Sequence, residues 1–241
     1  MKTDIIIQAR MWSSRLPWKV MLSLAWKPVL WHDIERCRKC KNINDIIIAT
    51  TTNSEDDIIE RWCINNDIKC YRWSNDNVLN RYYETAKKYN SDNIIRITSD
   101  CPFIDYEIID DIAHKFDYKK FDYMSNCQDR VFPRWLDCEI FTFKSLKKAN
   151  ENANEEFEKE HVTPYIIKNF KKDLYKVNNK YYSDARLTLD ELKDYELINY
   201  LYDKFYKNEN EIIDTIKVID YLEKNLDIKN KNLAIKQKHS I

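Results

Sequence analysis

Short apolar runs alternate along the first half of the chain with stretches in which apolar residues recur at helical spacing. Three runs, DIIIQA (4–9), DIIIATTT (45–52) and NIIRITSD (93–100), are short and rich in β-branched residues, as buried strands are. IKCYR (68–72) predicts a shorter strand. This alternation of strands and helices is typical of an α/β fold with a mostly parallel central sheet.

The stretches between these strands predict helices with recognisable starts. Residues 28–40 begin at a proline, and residues 54–66 begin with Ser54, a good N-cap residue, followed by acidic residues in the first turn. Two further helices are predicted at 76–89 and 105–116.

The second half of the chain is less regular. It predicts strands at 122–126, 137–143 and 185–190, and helices near 144–152, 155–170, 191–206 and 209–225. The simplest organisation is one domain over 1–225 with an inserted region at about 120–180. A polar tail, 226–241, follows it, and we expect this tail to fray.

Composition narrows the functional classes. The 241 residues carry 40 lysines and arginines and 40 aspartates and glutamates, so the net charge is zero and a nucleic-acid partner is not expected. No run reaches the roughly 18–20 apolar residues that span a bilayer, and the first residues lack a signal-peptide core. We therefore expect a cytoplasmic protein with no membrane partner. Seven cysteines, an odd number, do not predict a disulfide framework.

Polar side chains follow each predicted strand, and ligands of open parallel sheets bind outside the carboxyl ends of the strands. Arg10, Arg15 and Lys19 follow the first strand and predict a polyphosphate clamp, because arginine offers bidentate contacts and lysine a point charge. Three solvated surface cations are the alternative. The other residues expected on this rim are Gln8, Ala9, Ser13, Ser14, Thr50, Thr51, Thr52, Asn53, Thr98, Ser99, Asp100, Cys101, Pro102, Thr188 and Asp190.

Carboxylates at two of these strand ends are candidate metal ligands. Asp100 and Asp190 could each bind a magnesium ion that also binds phosphate oxygens, although a helix N-cap or a surface acid is as good an interpretation of either alone. Asp137 and Glu139 alternate on one strand face and predict either sugar recognition or a solvated face. His161, in EHVTPYI, is a further pocket candidate, although a lone histidine is more often structural.

Seven segments resemble, in order, the cytidylyltransferase family. They are IIQARMWSSRLPWKVMLSLAWKPVLWHDIER, IATTTNSEDD, RWSNDNVLNRYYETAKKY, RITSDCPFID, PRWLDCEIF, EHVTPYI and LTLDELKDYELI. The branch that they resemble most is named for spore-coat polysaccharide biosynthesis. That branch is similar to the enzymes that activate ketodeoxyoctonate and acylneuraminate sugars with CTP. The resemblance runs from residue 3 to about 225.

The resemblance implies a nucleotide-diphospho-sugar transferase fold, which is a Rossmann-like α/β/α sandwich. It implies transfer of CMP from CTP to a 3-deoxy-ulosonic or nonulosonic sugar acid, with release of pyrophosphate, for surface polysaccharide or glycan biosynthesis. Relatives in the family are often dimers, so a homodimer is an expectation. Two rival activities are transfer to a sugar 1-phosphate and non-catalytic nucleotide binding. A glycosyltransferase is a weaker rival, because SEDD (54–57) is only a loose version of its metal motif.

The resemblance also implies roles for individual residues. The implied catalytic set is Arg10, Arg15, Lys19 and Asp100. The implied nucleotide-binding set is Gln8, Ala9, Arg10, Ser13, Arg15, Lys19, Thr51, Asn53, Ser74 and Asp100, and Asp100 and Asp190 would hold Mg²⁺. The residues themselves, rather than the resemblance, suggest the acceptor side: Asp137, Glu139 and His161 are the candidates described above. Arg134 or Arg186 could pair with the sugar carboxylate, on the ground of bidentate geometry alone.

The chain contains no glycine, and this departs from the family pattern. The family has glycine where this chain has Trp12, Trp18, Trp26, Trp73, Ser99 and Trp135. We hypothesise that the codon read as tryptophan, with UGA the obvious candidate, specifies glycine in the source organism. A bulky residue in left-handed geometry costs roughly 1–2 kcal/mol, and an indole would enter the space for the phosphates. The chain with these tryptophans is therefore predicted to bind CTP poorly.

Overall fold

A seven-stranded, mostly parallel sheet forms the centre of the computed structural model, which describes residues 1–128, 132–176 and 181–235. The strands are β1 (Thr3–Gln8), β2 (Ser23–Leu24), β3 (Lys27–Pro28), β4 (Asp45–Thr51), β5 (Lys69–Trp73), β6 (Asn93–Thr98), β7 (Tyr123–Ser125), β8 (Glu139–Thr142) and β9 (Lys172–Leu174). The sheet order is β5-β4-β1-β6-β8-β7-β9, while β2 and β3 pair as a separate ribbon. Only β8 runs antiparallel to its sheet neighbours, β6 and β7.

Helices cover both faces of the sheet. They are α1 (Val29–Cys37), α2 (Asp57–Asn65), α3 (Val78–Tyr89), α4 (Tyr106–Lys115), α5 (Phe143–Asn152), α6 (Glu156–His161), α7 (Pro164–Asn169), α8 (Leu192–Phe205), α9 (Thr215–Lys224) and α10 (Leu226–Lys229). Ile5 and Ile7 of β1 join the core that contains α1, α2, α4, α8 and α9, whereas Ile6 joins the core that contains α3, α5 and α7. Because alternate side chains of a strand point to opposite faces, an all-apolar strand such as β1 is buried on both sides. The predicted α/β/α sandwich is confirmed.

Two predictions about secondary structure were wrong. Residues 185–190 do not form a strand; this extended segment lies beside the end of β6, where the Leu189 N–H donates to the Asp100 carbonyl at 2.8 Å. The helix predicted over 155–170 is split into α6 and α7. Val162 ends α6 with a φ of 71°, and Pro164, which has no N–H, starts α7.

Ordered structure continues beyond residue 225, where we predicted the tail to begin. Helix α10 is followed by a short 3-10 turn at Asn230–Asn232. The Asn232 side chain is buried and donates hydrogen bonds to the Arg186 carbonyl at 2.9 Å and to Asp194 at 2.8 Å. Within the described ranges, no helix is long and apolar enough to span a bilayer.

Candidate active site

A cavity of about 790 Å³ opens at the carboxyl ends of β1 and β6, as the parallel sheet predicts. It collects side chains from several separate segments of the chain. The predicted site residues that line it are Gln8, Ala9, Arg10, Ser13, Arg15, Lys19, Asp100, Arg134, Asp137, Glu139, His161 and Asp190.

The loop after β1 forms one wall, and hydrogen bonds rather than glycine hold its shape. The Trp18 N–H donates to the Met11 carbonyl at 2.7 Å and closes the loop. The Met11 N–H donates to a carboxylate oxygen of Asp56 at 2.6 Å, and the hydroxyl of Thr51 donates to the other oxygen. The loop therefore sits on a buried acid supplied by the segment that follows β4.

Lys19 lies at the centre of an ionic cluster on this wall. Its Nζ donates to Asp100 Oδ2 at 2.8 Å, to the Leu189 carbonyl at 2.9 Å and to Asp190 Oδ1 at 3.1 Å. Arg15 adds a second cation, with its Nη2 atom 2.8 Å from Asp190 Oδ1. The extended segment 185–190 thus places the Asp190 carboxylate near the end of β6, although the segment does not join the sheet.

Asp190 is held from behind by a third cation. Arg186 Nη2 donates to Asp190 Oδ2 at 3.0 Å, and Arg186 Nε donates to Asp194 Oδ1 at 2.9 Å. Asp194 is fully buried and also accepts the Asp190 and Glu191 N–H groups at the start of α8. The guanidinium of Arg186 is therefore engaged in shaping this wall.

The cluster favours the charged forms of Lys19 and Asp100. Burial alone would lower the pKa of Lys19, but Asp100 and Asp190 outweigh burial, so the pKa lies above its usual value. Burial would raise the pKa of Asp100, but Lys19 outweighs it, so that pKa lies below its usual value. Asp33 of α1 differs, because burial, with a contribution from Asp100, raises its pKa well above the ordinary value and favours the neutral acid.

The two carboxylates fit the chemistry of a magnesium site. Oxygen ligands are what Mg²⁺ prefers, and it usually takes one or two carboxylates together with waters and substrate phosphates. In this structure the ammonium of Lys19 lies within 3.1 Å of both Asp100 and Asp190, so a cation already fits between them. No group of three or more histidine, cysteine or acidic side chains suited to a metal occurs among the described residues.

The opposite wall is built around Glu139 of β8. Its carboxylate accepts from Arg96 Nη1 at 2.6 Å, from the Tyr123 hydroxyl at 2.7 Å and from the Thr163 hydroxyl at 2.7 Å. Thr163 reaches this position because the chain turns at Val162, between α6 and α7. Glu139 is only 5% exposed. Its main role in this wall is therefore to position the side chains that bond to it, rather than to bind a ligand directly.

The remaining acceptor candidates line the same cavity as Glu139. Arg134 and Asp137 line the cavity from the segment before β8, and His161 lines it from the end of α6. Burial lowers the pKa of His161, with nearby Glu160 opposing the shift. The imidazole is therefore favoured in its neutral form, in which one ring nitrogen can accept a hydrogen bond.

Four residues of the implied binding sets lie outside the cavity lining, and so do Thr50, Thr52 and Pro102 of the predicted rim. Thr51 and Asn53 lie behind the loop after β1, where the Thr51 hydroxyl is bonded to Asp56 and also accepts the Asn53 N–H at 3.1 Å. Ser74 caps the turn before α3, since its hydroxyl accepts the Asn77 N–H at 3.2 Å. Arg186 is the fourth and lies on Asp190 and Asp194.

Sequence reasoning missed two arginines that line the cavity, the buried Arg81 of α3 and the half-buried Arg96 of β6. Both carried a readable signal. Arg96 is the one charge inside the apolar strand NIIRIT, and Arg81 lies three residues after Val78, on the apolar face of its helix. A cation at an apolar position indicates a buried partner or a ligand, because burying an unpaired charge is costly.

The tryptophans at the predicted glycine positions behave differently from one another. Trp18 and Trp26 have φ angles of 63° and 59°, in the left-handed region that favours glycine, and both side chains are exposed. Trp12 lines the cavity and is 59% exposed. Trp135 is buried, and its Nε1–H donates to the Ala185 carbonyl at 3.2 Å. The backbone therefore favours glycine at 18 and 26 and gives no such signal at 135.

Comparison with known proteins gives extensive matches. A family model described as Cytidylyltransferase matches residues 5–239. Uncharacterized protein MJ1063 of Methanocaldococcus jannaschii is 39% identical over 248 residues, covering 99% of this chain and 97% of that protein. The spore coat polysaccharide biosynthesis protein SpsF of Bacillus subtilis is 31% identical over 232 residues, covering 92% of this chain and 94% of that protein.

A solved structure is similar over the same extent. The structure of a cytidylyltransferase from Leptospira borgpetersenii superposes with a TM-score of 0.88 and 33% sequence identity. The similarity covers 99% of this chain and 100% of the other.

Proposed function

Because the chain belongs to the cytidylyltransferase family, as the sequence resemblance predicted, we propose that it transfers CMP from CTP to a sugar acid and releases pyrophosphate. The acceptor would be a 3-deoxy-ulosonic or nonulosonic acid, and the product would serve surface polysaccharide synthesis. The observation that carries this proposal is one cavity with two unlike walls. The loop after β1 supplies cations and the Asp100–Asp190 pair, and the Glu139 wall supplies polar groups for a second substrate.

The phosphate wall suits a reaction in which an acceptor hydroxyl attacks the α-phosphorus of CTP. Arg10, Arg15 and Lys19 lie on one loop, so they can contact several phosphate oxygens together. The raised pKa of Lys19 keeps its ammonium charged, and it can offset the charge that develops on the pyrophosphate leaving group. Positioning and electrostatic stabilisation are most of what phosphoryl transfer requires of a protein.

Asp100 and Asp190 are the residues that would hold Mg²⁺. When bound, the ion would offset phosphate charge and lower the pKa of the attacking hydroxyl. The pKa of Asp100 lies below its usual value, so this carboxylate stays ionised, which suits the role.

The acceptor wall favours Arg134 over Arg186 as the partner of the sugar carboxylate. Arg134 lines the cavity, whereas the guanidinium of Arg186 lies on Asp190 and Asp194. Asp137 and His161 line the cavity beside Arg134 and can accept hydrogen bonds from sugar hydroxyls. Glu139 positions this wall through Arg96, Tyr123 and Thr163.

The test is magnesium-dependent release of pyrophosphate from CTP in the presence of a panel of ulosonic and nonulosonic acids. We expect release with at least one acid, a preference for CTP over UTP, and loss of turnover in Asp100→Asn. Asp203→Asn is the matched control, because Asp203 lies on the exposed part of α8 and bonds only Asn199 among the described contacts. Release with a sugar 1-phosphate and with none of the acids would overturn the assignment of the acceptor.

A further inference from the structure

Asn232 is a buried amide that lies behind the phosphate wall of the cavity. It is 1% exposed and belongs to the 3-10 turn after α10, outside the lining of the cavity. Its Nδ2 donates to Asp194 Oδ1 at 2.8 Å and to the Arg186 carbonyl at 2.9 Å. Both partners are acceptor oxygens, so these two contacts fix which way the amide points. One side chain of the segment 226–235 thus contacts both members of the Arg186–Asp194 ion pair.

The Asp194 carboxylate connects Asn232 to Asp190. Its Oδ2 accepts the Asp190 N–H and the Glu191 N–H, each at 3.0 Å. Arg186 completes the connection, because its Nη2 donates to Asp194 Oδ2 and to Asp190 Oδ2, each at 3.0 Å. These groups all lie within residues 186–194, so they could shift together as a unit. Asn232 comes from a distant part of the chain and holds that unit in place.

The extended segment 185–190 depends on such contacts because it is not a strand of the sheet. A strand is held by a ladder of backbone hydrogen bonds along its length, and this segment has no such ladder. The segment 226–235 adds a second contact near its start. Lys229 Nζ lies 2.8 Å from Glu223 Oε2 and also pairs with Asp184. The segment 226–235 therefore fixes both the start of the extended segment and the groups behind Asp190.

We propose that Asn232 is a positioning residue for the reaction and that, through Asp194 and Arg186, it sets the place of the Asp190 carboxylate at the cavity. The proposal rests on the function proposed above, in which Asp100 and Asp190 would hold Mg²⁺. Groups that bond to a metal-binding carboxylate orient it and so change the affinity for the metal. Loss of a buried donor also leaves its acceptors short of a partner, which favours rearrangement of the network.

The experiment compares Asn232→Leu, which keeps the approximate size of the side chain and removes the donor, with Asn230→Leu. Asn230 is the matched control in the same turn, because it is exposed and its side chain forms no hydrogen bond with the described residues. Amide hydrogen exchange is measured by NMR on the ligand-free protein at Asp190 and Glu191, with Ile6 in the centre of the sheet as the reference. The Mg²⁺ dependence of pyrophosphate release is measured on the same variants.

Asn232→Leu should speed exchange at the Asp190 and Glu191 amides by about tenfold and at Ile6 by much less, because the opening is local. It should also raise the Mg²⁺ concentration for half-maximal pyrophosphate release by about tenfold, which is the lower end of the loss seen when a group that orients a metal ligand is removed. Asn230→Leu should change neither quantity.

Unchanged exchange at the Asp190 and Glu191 amides would overturn the proposal. Equal acceleration at all three amides would overturn it as well, because Asn232 would then serve general stability. So would an unchanged Mg²⁺ requirement in an active Asn232→Leu enzyme. If wild type releases no pyrophosphate, the proposed function fails, and exchange at Asp190 and Glu191 still decides whether Asn232 positions Asp190. If Asn232→Leu does not fold, Asn232→Ala carries the same test.

Discussion

The basic residues of the cavity fall into two groups, according to whether a carboxylate already pairs with them. The sequence alone does not distinguish the two groups. Lys19 and Arg15 already lie on carboxylates, within 3.1 Å of Asp100 or Asp190. Arg10 and Arg81 have no such partner among the described residues, although Arg81 is the more buried of the two. The first group stabilises the cavity wall in the absence of ligand. The positive charge of the second group remains available to attract an anionic ligand.

A basic loop is therefore not by itself a phosphate site. Coulombic attraction that a carboxylate already satisfies contributes little to a new ligand unless the carboxylate gains another cation. An unsatisfied buried cation costs stability in the free protein, and a ligand recovers that cost on binding. Substitutions in the two groups should therefore differ in which quantity they change.

Removing Lys19 should have the largest effect. Lys19→Met leaves Asp100 largely buried with no cation beside it, and we expect a loss of about 3 kcal/mol in the free energy of unfolding together with loss of turnover. Urea denaturation measures the first quantity and pyrophosphate release the second. Lys27→Met is the control, because Lys27 pairs with the exposed Glu209 and should cost under about 1 kcal/mol. Equal losses in both variants would show that the cluster has no special role.

Arg10→Gln and Arg15→Gln should differ in their effects on stability, because Arg10 and Arg15 belong to different groups. We expect Arg10→Gln to weaken Mg·CTP binding by about tenfold with little change in the urea midpoint, because Arg10 makes no ion pair with any residue that the structure describes. Arg15→Gln removes a contact to Asp190 and should lower the midpoint as well as the affinity. Matching behaviour in the two variants would contradict the division of the cations.

Trp12→Gly should increase the affinity of the cavity for Mg·CTP. The exposed indole of Trp12 lines the cavity beside Ser13 and Arg15, so its removal gives the phosphates room. We expect roughly threefold tighter Mg·CTP binding by calorimetry. Trp73→Gly is the control, because Trp73 lies at the end of β5 and outside the lining of this cavity; a gain of affinity there would argue against steric relief.

Trp18→Gly should have the smallest effect, and on stability alone. The left-handed φ of Trp18 costs roughly 1–2 kcal/mol for a bulky residue, while glycine gives back about 0.5–1 kcal/mol in chain entropy. The net gain in the free energy of unfolding should be about 0.5–1 kcal/mol. Trp12→Gly has no positive φ to relieve and should not show this gain in the same urea titration.

Much of the fold could be read from the sequence because its signals are local. The isoleucine runs of β1, β4 and β6 predict buried parallel strands, and the cavity lies at their carboxyl ends, as that topology requires. The segment 185–190 was misread as a strand because Leu187 and Leu189 alternate as a strand would. Their burial comes from packing beside β6 rather than from pairing, which no local pattern reveals.

The site could be predicted only in part, because its contacts join residues that are distant in the sequence. The sequence pointed to Arg15, Lys19 and Asp190, but their pairing joins positions more than 170 residues apart. The sequence suggested Arg186 for the sugar carboxylate, whereas the structure places its guanidinium on Asp190 and Asp194, outside the lining of the cavity. Which charges are compensated is a property of the tertiary structure.

The most direct test of the division between the two groups of cations is one set of thermal melts on Arg10→Gln, Arg81→Met, Arg15→Gln and Lys19→Met, each with and without Mg·CTP. We expect the first two variants to melt near wild type without ligand and to lose most of the shift that the ligand produces. We expect the last two variants to melt lower even without ligand. The same melting temperature and the same ligand shift in all four variants would contradict this division.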